Sequence, residues 1–230
     1  MFENYLTYLR PSTDQVKAPP PPAPAPRRRL VLHIGDPKTG SSSIQRALQL
    51  GLVKSPAGTV AGFTTADHSA NAIQIARSFT PAGRSKLKPA MAAIGTWLAA
   101  HETDYSIISS EFFSESDPAM LQRVFARKHP DYVGDMRAIG YVRPHACRSL
   151  AAYTERVKSG YTLADFDTWL PAFIKSDALN YSARFTKWKG AFGRRFHLRP
   201  FLRAELRQQD AVADFFAEVL GSEDFQIEST

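Results

Sequence analysis

Near the start of the chain three segments follow one another. Leu30-Val31-Leu32-His33-Ile34 is an almost continuous apolar run, Gly35-Asp36-Pro37-Lys38-Thr39-Gly40-Ser41-Ser42 is bounded by glycines, and residues 41–52 put Ile44, Ala47, Leu48 and Gly51 on one helical face. The chemistry open to such a string is the gripping of a phosphate. Gly35 and Gly40 let the backbone approach an anion, main-chain N–H groups and the start of the helix supply partial positive charge, and Lys38 adds a full charge. Two other residues have the right chemistry to take a proton. Glu111 closes the apolar stretch 105–110, and His68 stands in Ala66-Asp67-His68-Ser69. Histidine titrates near neutrality, whereas a glutamate needs a raised pKa for the same work. Each has a plainer reading as well: Glu111 as the cap of the helix that follows, His68 as a surface-loop histidine. Arg143 ends a third apolar stretch, 137–142.

The loop departs from the nucleotide-triphosphate pattern G-x-x-x-x-G-K-[ST]. Ser41 stands where that lysine belongs, Ser42 takes the Ser/Thr place, and the lysine has moved forward to Lys38. This counts against the alternative of a P-loop small-molecule kinase. A lysine followed by Thr-Gly-Ser-Ser resembles instead the 5'-phosphosulfate loop of sulfotransferases that use 3'-phosphoadenosine-5'-phosphosulfate (PAPS), written P-K-[ST]-G-[ST]-[ST]. The bacterial members with H-I-G-x-P-K-T-G-[ST]-[ST]-S-I-Q are closer still, against His33 through Gln45 here. Tyr141-Val142-Arg143-Pro144-His145, followed by Tyr153, Val157, Lys158 and Gly160, is similar to a second segment of that group. Weaker similarity lies at Ser109-Ser110-Glu111, from Tyr181-Ser182-Ala183 to Trp188, and at Arg199-Pro200-Phe201, so that the resemblance spans roughly residues 30–220.

The resemblance implies a three-layer α/β/α fold with a central parallel sheet, like that of P-loop NTPases. It implies PAPS as donor, 3',5'-ADP as product, no metal, and a carbohydrate-like acceptor, glycan or glycolipid, sulfated on a hydroxyl or amine. Gly35, Pro37, Lys38, Thr39, Gly40, Ser41 and Ser42 would surround the phosphosulfate, with Lys38 at the leaving oxygen and Arg143 at the 3'-phosphate. By order along the chain, Glu111 falls where many cytosolic sulfotransferases hold a base. His68 falls where heparan-type enzymes do, and Asp67-His68 resembles an Asn-His of the bacterial group.

One position departs from the family. Its serine eight residues after the arginine is Ala151 here. Ser149 points some 200° away around a helix, while Arg148 and Thr154 share the face of 151. Arg148, nearer the helix start and able to make bidentate contacts, is the expected substitute. The missing serine also keeps open a catalytically silent domain that binds nucleotide or glycan.

Around these residues apolar periodicity predicts further elements. Strands are expected at 105–110, 137–142 and 195–198. Helices are expected at 71–78, around Leu87, Met91, Ile94 and Leu98, at 118–129, from 144 to about 158, and at 163–174, 181–192 and 210–220. Strands alternating with helices indicate a parallel sheet covered on both faces. Trp97, Trp169 and Trp188 read as packing residues, and His33, inside a strand, as a core residue.

The chain has 230 residues, 43% hydrophobic and 22% charged, enough for one domain without staples. Ala18 to Pro26 reads APPPPAPAP, an extended stretch poor in backbone donors. Residues 1–29 are therefore expected to be a flexible segment and linker, and 30–230 the folded domain. Of the formal charge of +7, residues 1–29 hold +3. The modest remainder suits a small anionic ligand, and without a basic stripe interleaved with aromatics no nucleic acid is expected. A single cysteine, Cys147, allows no internal disulfide. The six histidines and Cys147 show no metal-ligand spacing. No apolar run reaches the ~20 residues of a transmembrane helix and no secretory h-region is seen, so the cytoplasm is expected.

Overall fold

A computed structural model describes residues 28–228. The segment expected over 1–29 lies outside them except for Arg28 and Arg29. The chain enters through β1 (Arg29–His33), runs through the glycine loop into α1 (Ser41–Leu50), and makes two short strands, β2 (Val53–Lys54) and β3 (Val60–Gly62). Helices α2 (Ile73–Ser78) and α3 (Leu87–Ala100) lead to β4 (Tyr105–Ser109), then α4 (Pro118–Lys128) and α5 (Pro130–Val133) to β5 (Arg137–Val142). Three helices follow, α6 (His145–Lys158), α7 (Phe166–Lys175) and α8 (Tyr181–Phe192). Strand β6 (Phe196–Pro200), α9 (Ala211–Leu220) and β7 (Gln226–Ile227) complete the described chain.

Five strands form one parallel sheet in the order β3-β4-β1-β5-β6, while β2 and β7 pair antiparallel on the side. β1 lies in the middle, and Leu30 through Ile34 are fully buried. Its side chains alternate between two cores, as strand geometry requires. Leu30, Leu32 and Ile34 join α2, α3, α4 and α8 in one cluster that includes Trp97, Phe125, Phe185 and Trp188. Val31 joins Ile107, Ile139, Tyr141, α1 and α9 in the other. A strand buried on both faces reads as a near-continuous apolar run, so the expected three-layer α/β/α architecture is the observed one.

α6 and α7 differ from the rest. α7 has no fully buried residue, and α6 buries only Arg148 and Ser149. Tyr153 meets Phe166 and Trp169 between the two helices, at 5.3 and 5.5 Å between ring centroids. Leu163 is fully exposed in their connection.

Candidate active site

The register of the sheet brings the chemistry-bearing residues to one edge. His33 is level with Ser109 of β4 and Ile139 of β5. The loop after β1, the turn at Glu111 and the segment at Arg143 therefore emerge side by side at the carboxyl ends of three adjacent strands, where ligands bind in open α/β sheets. The loop is fastened from below, since the Asp36 N–H donates to Tyr141 O at 3.1 Å and the Thr39 hydroxyl to Asp36 O at 2.6 Å.

Two glycines keep its shape. Gly40 has φ 80°, and a Cβ there would stand 2.9 Å from both the Phe201 ring and Ala211 Cβ. A Cβ on Gly35 would lie 2.9 Å from Ser41 Oγ and 3.0 Å from Thr39 Oγ1. Lys38 also adopts a left-handed conformation, with φ 71°, which is uncommon outside glycine and fixes where its side chain departs.

α1 begins with no side-chain cap, and the N–H groups of Ser43 and Ile44 turn back to Gly40 O. Ser41, although buried, has a hydroxyl without a partner. A helix N-terminus needs acceptors for its first amides. An uncapped start, an unpartnered serine hydroxyl and a lysine two to three residues upstream form an arrangement suited to an anion. The phosphosulfate end of PAPS is chemically such an anion, and the residues fit it.

Asp36, a carboxylate within this loop, is fully buried. It is balanced by two arginines: Arg148 Nε of α6 at 2.5 Å and Arg184 Nη1 of α8 at 2.8 Å. Arg184 also donates to Ala178 O. Arg148, expected from the sequence to meet a 3'-phosphate, lies on the loop-facing side of α6 with its Nε on Asp36. A buried carboxylate without these cations would be very costly, so the guanidinium goes where the charge is.

Lys38 Nζ donates to Glu155 Oε2 of α6 at 2.9 Å, and that ion pair holds the Glu155 carboxyl below its usual pKa. Arg143 sits with its Cζ 4.7 Å from the centre of the Phe201 ring. Its Nε is buried and unpartnered, so it remains a candidate for an anion.

The two candidate bases part company. The Ser110 hydroxyl, not Glu111, caps the turn at 111–115, accepting from Phe112 N, and Asp117 caps α4. Glu111 lines a cavity of about 330 Å³ together with Pro37 of the loop, Glu115, Arg148, Asp177 and Arg184. His68 is exposed in a turn with φ 61°. Its carbonyl accepts from Gln49 near the far end of α1, roughly 12 Å along the helix from the loop. A larger cavity, about 740 Å³ and lined by Phe63, Gln74, Pro89 and Trp97, lies against α3 and includes none of the loop residues.

Beneath the loop His33 Nδ1 faces Ser109 Oγ at 2.8 Å, and Gln45 donates to the same hydroxyl at 3.2 Å. Burial drives the His33 pKa down to about 3, so the ring is a neutral structural partner and not a proton shuttle.

Asp36, Glu155 and Arg184 have no place in the sequence-based site. Asp36 alone carried a signal, because an acidic residue inside an anion-binding loop demands nearby cations. Among the described residues no group of three or more His, Cys, Asp or Glu could hold a metal ion, and no helix is long and apolar enough to cross a membrane.

No protein-family model matches the sequence, and no curated protein is significantly similar to it. A crystal structure of a sulfotransferase from Alicyclobacillus acidocaldarius superposes with a TM-score of 0.56 at 18% identity, over 87% of this chain and 84% of that one. The chain thus has a sulfotransferase-like fold, with a three-layer α/β/α arrangement around a five-stranded parallel sheet.

Proposed function

We propose that this protein transfers a sulfuryl group from PAPS to a hydroxyl or amine of a carbohydrate-like acceptor. The observation that carries the reading is the uncapped start of α1, with the unpartnered Ser41 hydroxyl and Lys38 just upstream. The sequence resemblance of residues 33–45 and the fold of the superposed sulfotransferase support it.

In this reading the main-chain amides from Lys38 to Ser42 and the Ser41 hydroxyl hold the phosphosulfate, and Arg143 holds the 3'-phosphate. PAPS supplies the sulfuryl group and leaves as 3',5'-ADP. Lys38 offsets negative charge that develops on the leaving oxygen. Glu111, on the wall of the cavity beside Pro37, receives the acceptor's proton. His68 has the weaker claim, since its loop is tied to the opposite end of α1.

Calorimetry against 3',5'-ADP and against ATP–Mg tests the donor. Tighter binding of 3',5'-ADP is expected, and a preference for ATP–Mg would return the chain to the kinase reading. Transfer of labelled sulfate from PAPS to a panel of glycans and amino sugars tests the reaction. Lys38→Ala should lower transfer about 100-fold or more. Binding without any transfer across the panel would instead favour a silent binding domain.

A further inference from the structure

Helix α6 touches the phosphate loop at two places. Arg148 and Glu155 are seven residues apart, two helical turns, and therefore share a face. Arg148 takes Asp36, and Glu155 takes Lys38, two residues further along the loop. The two contacts are physically different. The Arg148–Asp36 pair is sealed, its side chains 8% and 0% exposed, while those of Lys38 and Glu155 are 42% and 51% exposed. A ligand cannot break the first without stranding a buried charge. The second is open to exchange.

We propose that Glu155 is a positioning residue that competes with the nucleotide for Lys38. This rests on the reading of the loop as a nucleotide site. Before binding, the ammonium is held on the Glu155 carboxylate at the mouth of the loop. An anion entering the loop meets that carboxylate as a like charge, and it gains Lys38 only as the ammonium turns away from Glu155. The left-handed backbone at Lys38 keeps the origin of the side chain fixed, so the exchange is one of side-chain rotamers. Glu155 thereby lowers affinity for every anion that uses the loop. It also keeps Lys38 extended toward α6 while the site awaits ligand.

The sign of the expected effect is what sets this role apart. Removing a residue that supports a site weakens binding, whereas removing a competitor strengthens it. In calorimetry with the full-length chain, E155Q should bind 3',5'-ADP two- to five-fold more tightly than wild type, equivalent to about 0.4–1 kcal/mol, the span measured for exposed ion pairs. The gain should shrink as salt is raised. With PAPS and an accepted acceptor, KM for PAPS should fall by a similar factor with kcat unchanged. Glu155 is half-exposed, and an unchanged melting temperature would show that the fold is intact.

Equal affinities in wild type and E155Q, or weaker binding in E155Q, overturn the competition while leaving the nucleotide reading standing. A fall in kcat with KM unchanged also overturns it, and would mark Glu155 as a proton acceptor. If neither protein binds 3',5'-ADP, the nucleotide reading fails and the proposal with it.

Discussion

The sheet with its covering helices and the α6–α7 hairpin meet at the glycine loop and are held by opposite physics. The sheet is held by burial: β1 is closed on both faces, and Trp188, Phe125 and Phe215 are fully enclosed. The hairpin contributes no fully buried apolar side chain. It is joined to the loop by charge, through Arg148 on Asp36 and Glu155 on Lys38. Burial contributes roughly 25 cal/mol per Å² and is indifferent to direction. Ion pairs contribute little at the surface, but they specify which atoms meet. The first region therefore sets where the loop is, and the second sets which charges it presents.

Three experiments divide the regions, the largest expected effect first. Trp188→Ala should cost about 3–5 kcal/mol of global stability, read as a lowered denaturant midpoint, since the indole packs on Phe192 and Phe196 within the main core. Asp36→Ala leaves Arg148 and the partly buried Arg184 without their shared counter-charge and should cost about 3 kcal/mol. Hydrogen exchange should then show lost protection mainly in α6 and α7. Equal loss in β1, β4 and β5 would break the comparison.

The third experiment is a pH series. His33 is buried with a pKa near 3 against 6.5 in an open chain. Between those values the unfolded state binds the extra proton, so stability falls as pH falls, on the order of 1 kcal/mol per unit. Denaturant midpoints at pH 7 and pH 5 should separate more in wild type than in His33→Gln. Equal separation would mean that the acid sensitivity arises at groups other than His33.

The parts held by burial were legible in the sequence. The apolar run at 30–34 and the periodic stretches of the main helices announce themselves locally, because a strand or helix needs its apolar residues at fixed short spacing. β3 escaped notice because Val60-Ala61-Gly62 is too short and too small in side chain to show a pattern. The parts held by charge were much less legible. Asp36 lies 112 and 148 residues from its two arginines, and Lys38 lies 117 from Glu155. No local rule links residues so far apart. Helical phase did place Arg148 on the side of α6 that faces the loop. Spacing says which way a side chain points, however, and not which of two anions it will meet, so Asp36 went unpaired in the sequence reading. For Glu111 the sequence leaves a role as cap open, and the structure gives that role to Ser110.

Phe201 follows β6, donates its N–H to Val142 O at 2.7 Å, presses on Gly40 from one side and lies under the Arg143 guanidinium. The same benzene ring is thus a wall for the loop and a seat for the arginine. The distance between the loop at Gly40 and the arginine is gauged by its width, so in the proposed site a ligand with two negative ends would have to match that span to touch both. A smaller residue at 201 would loosen the gauge and blur discrimination among dianions of different length, even with every charged side chain still in place.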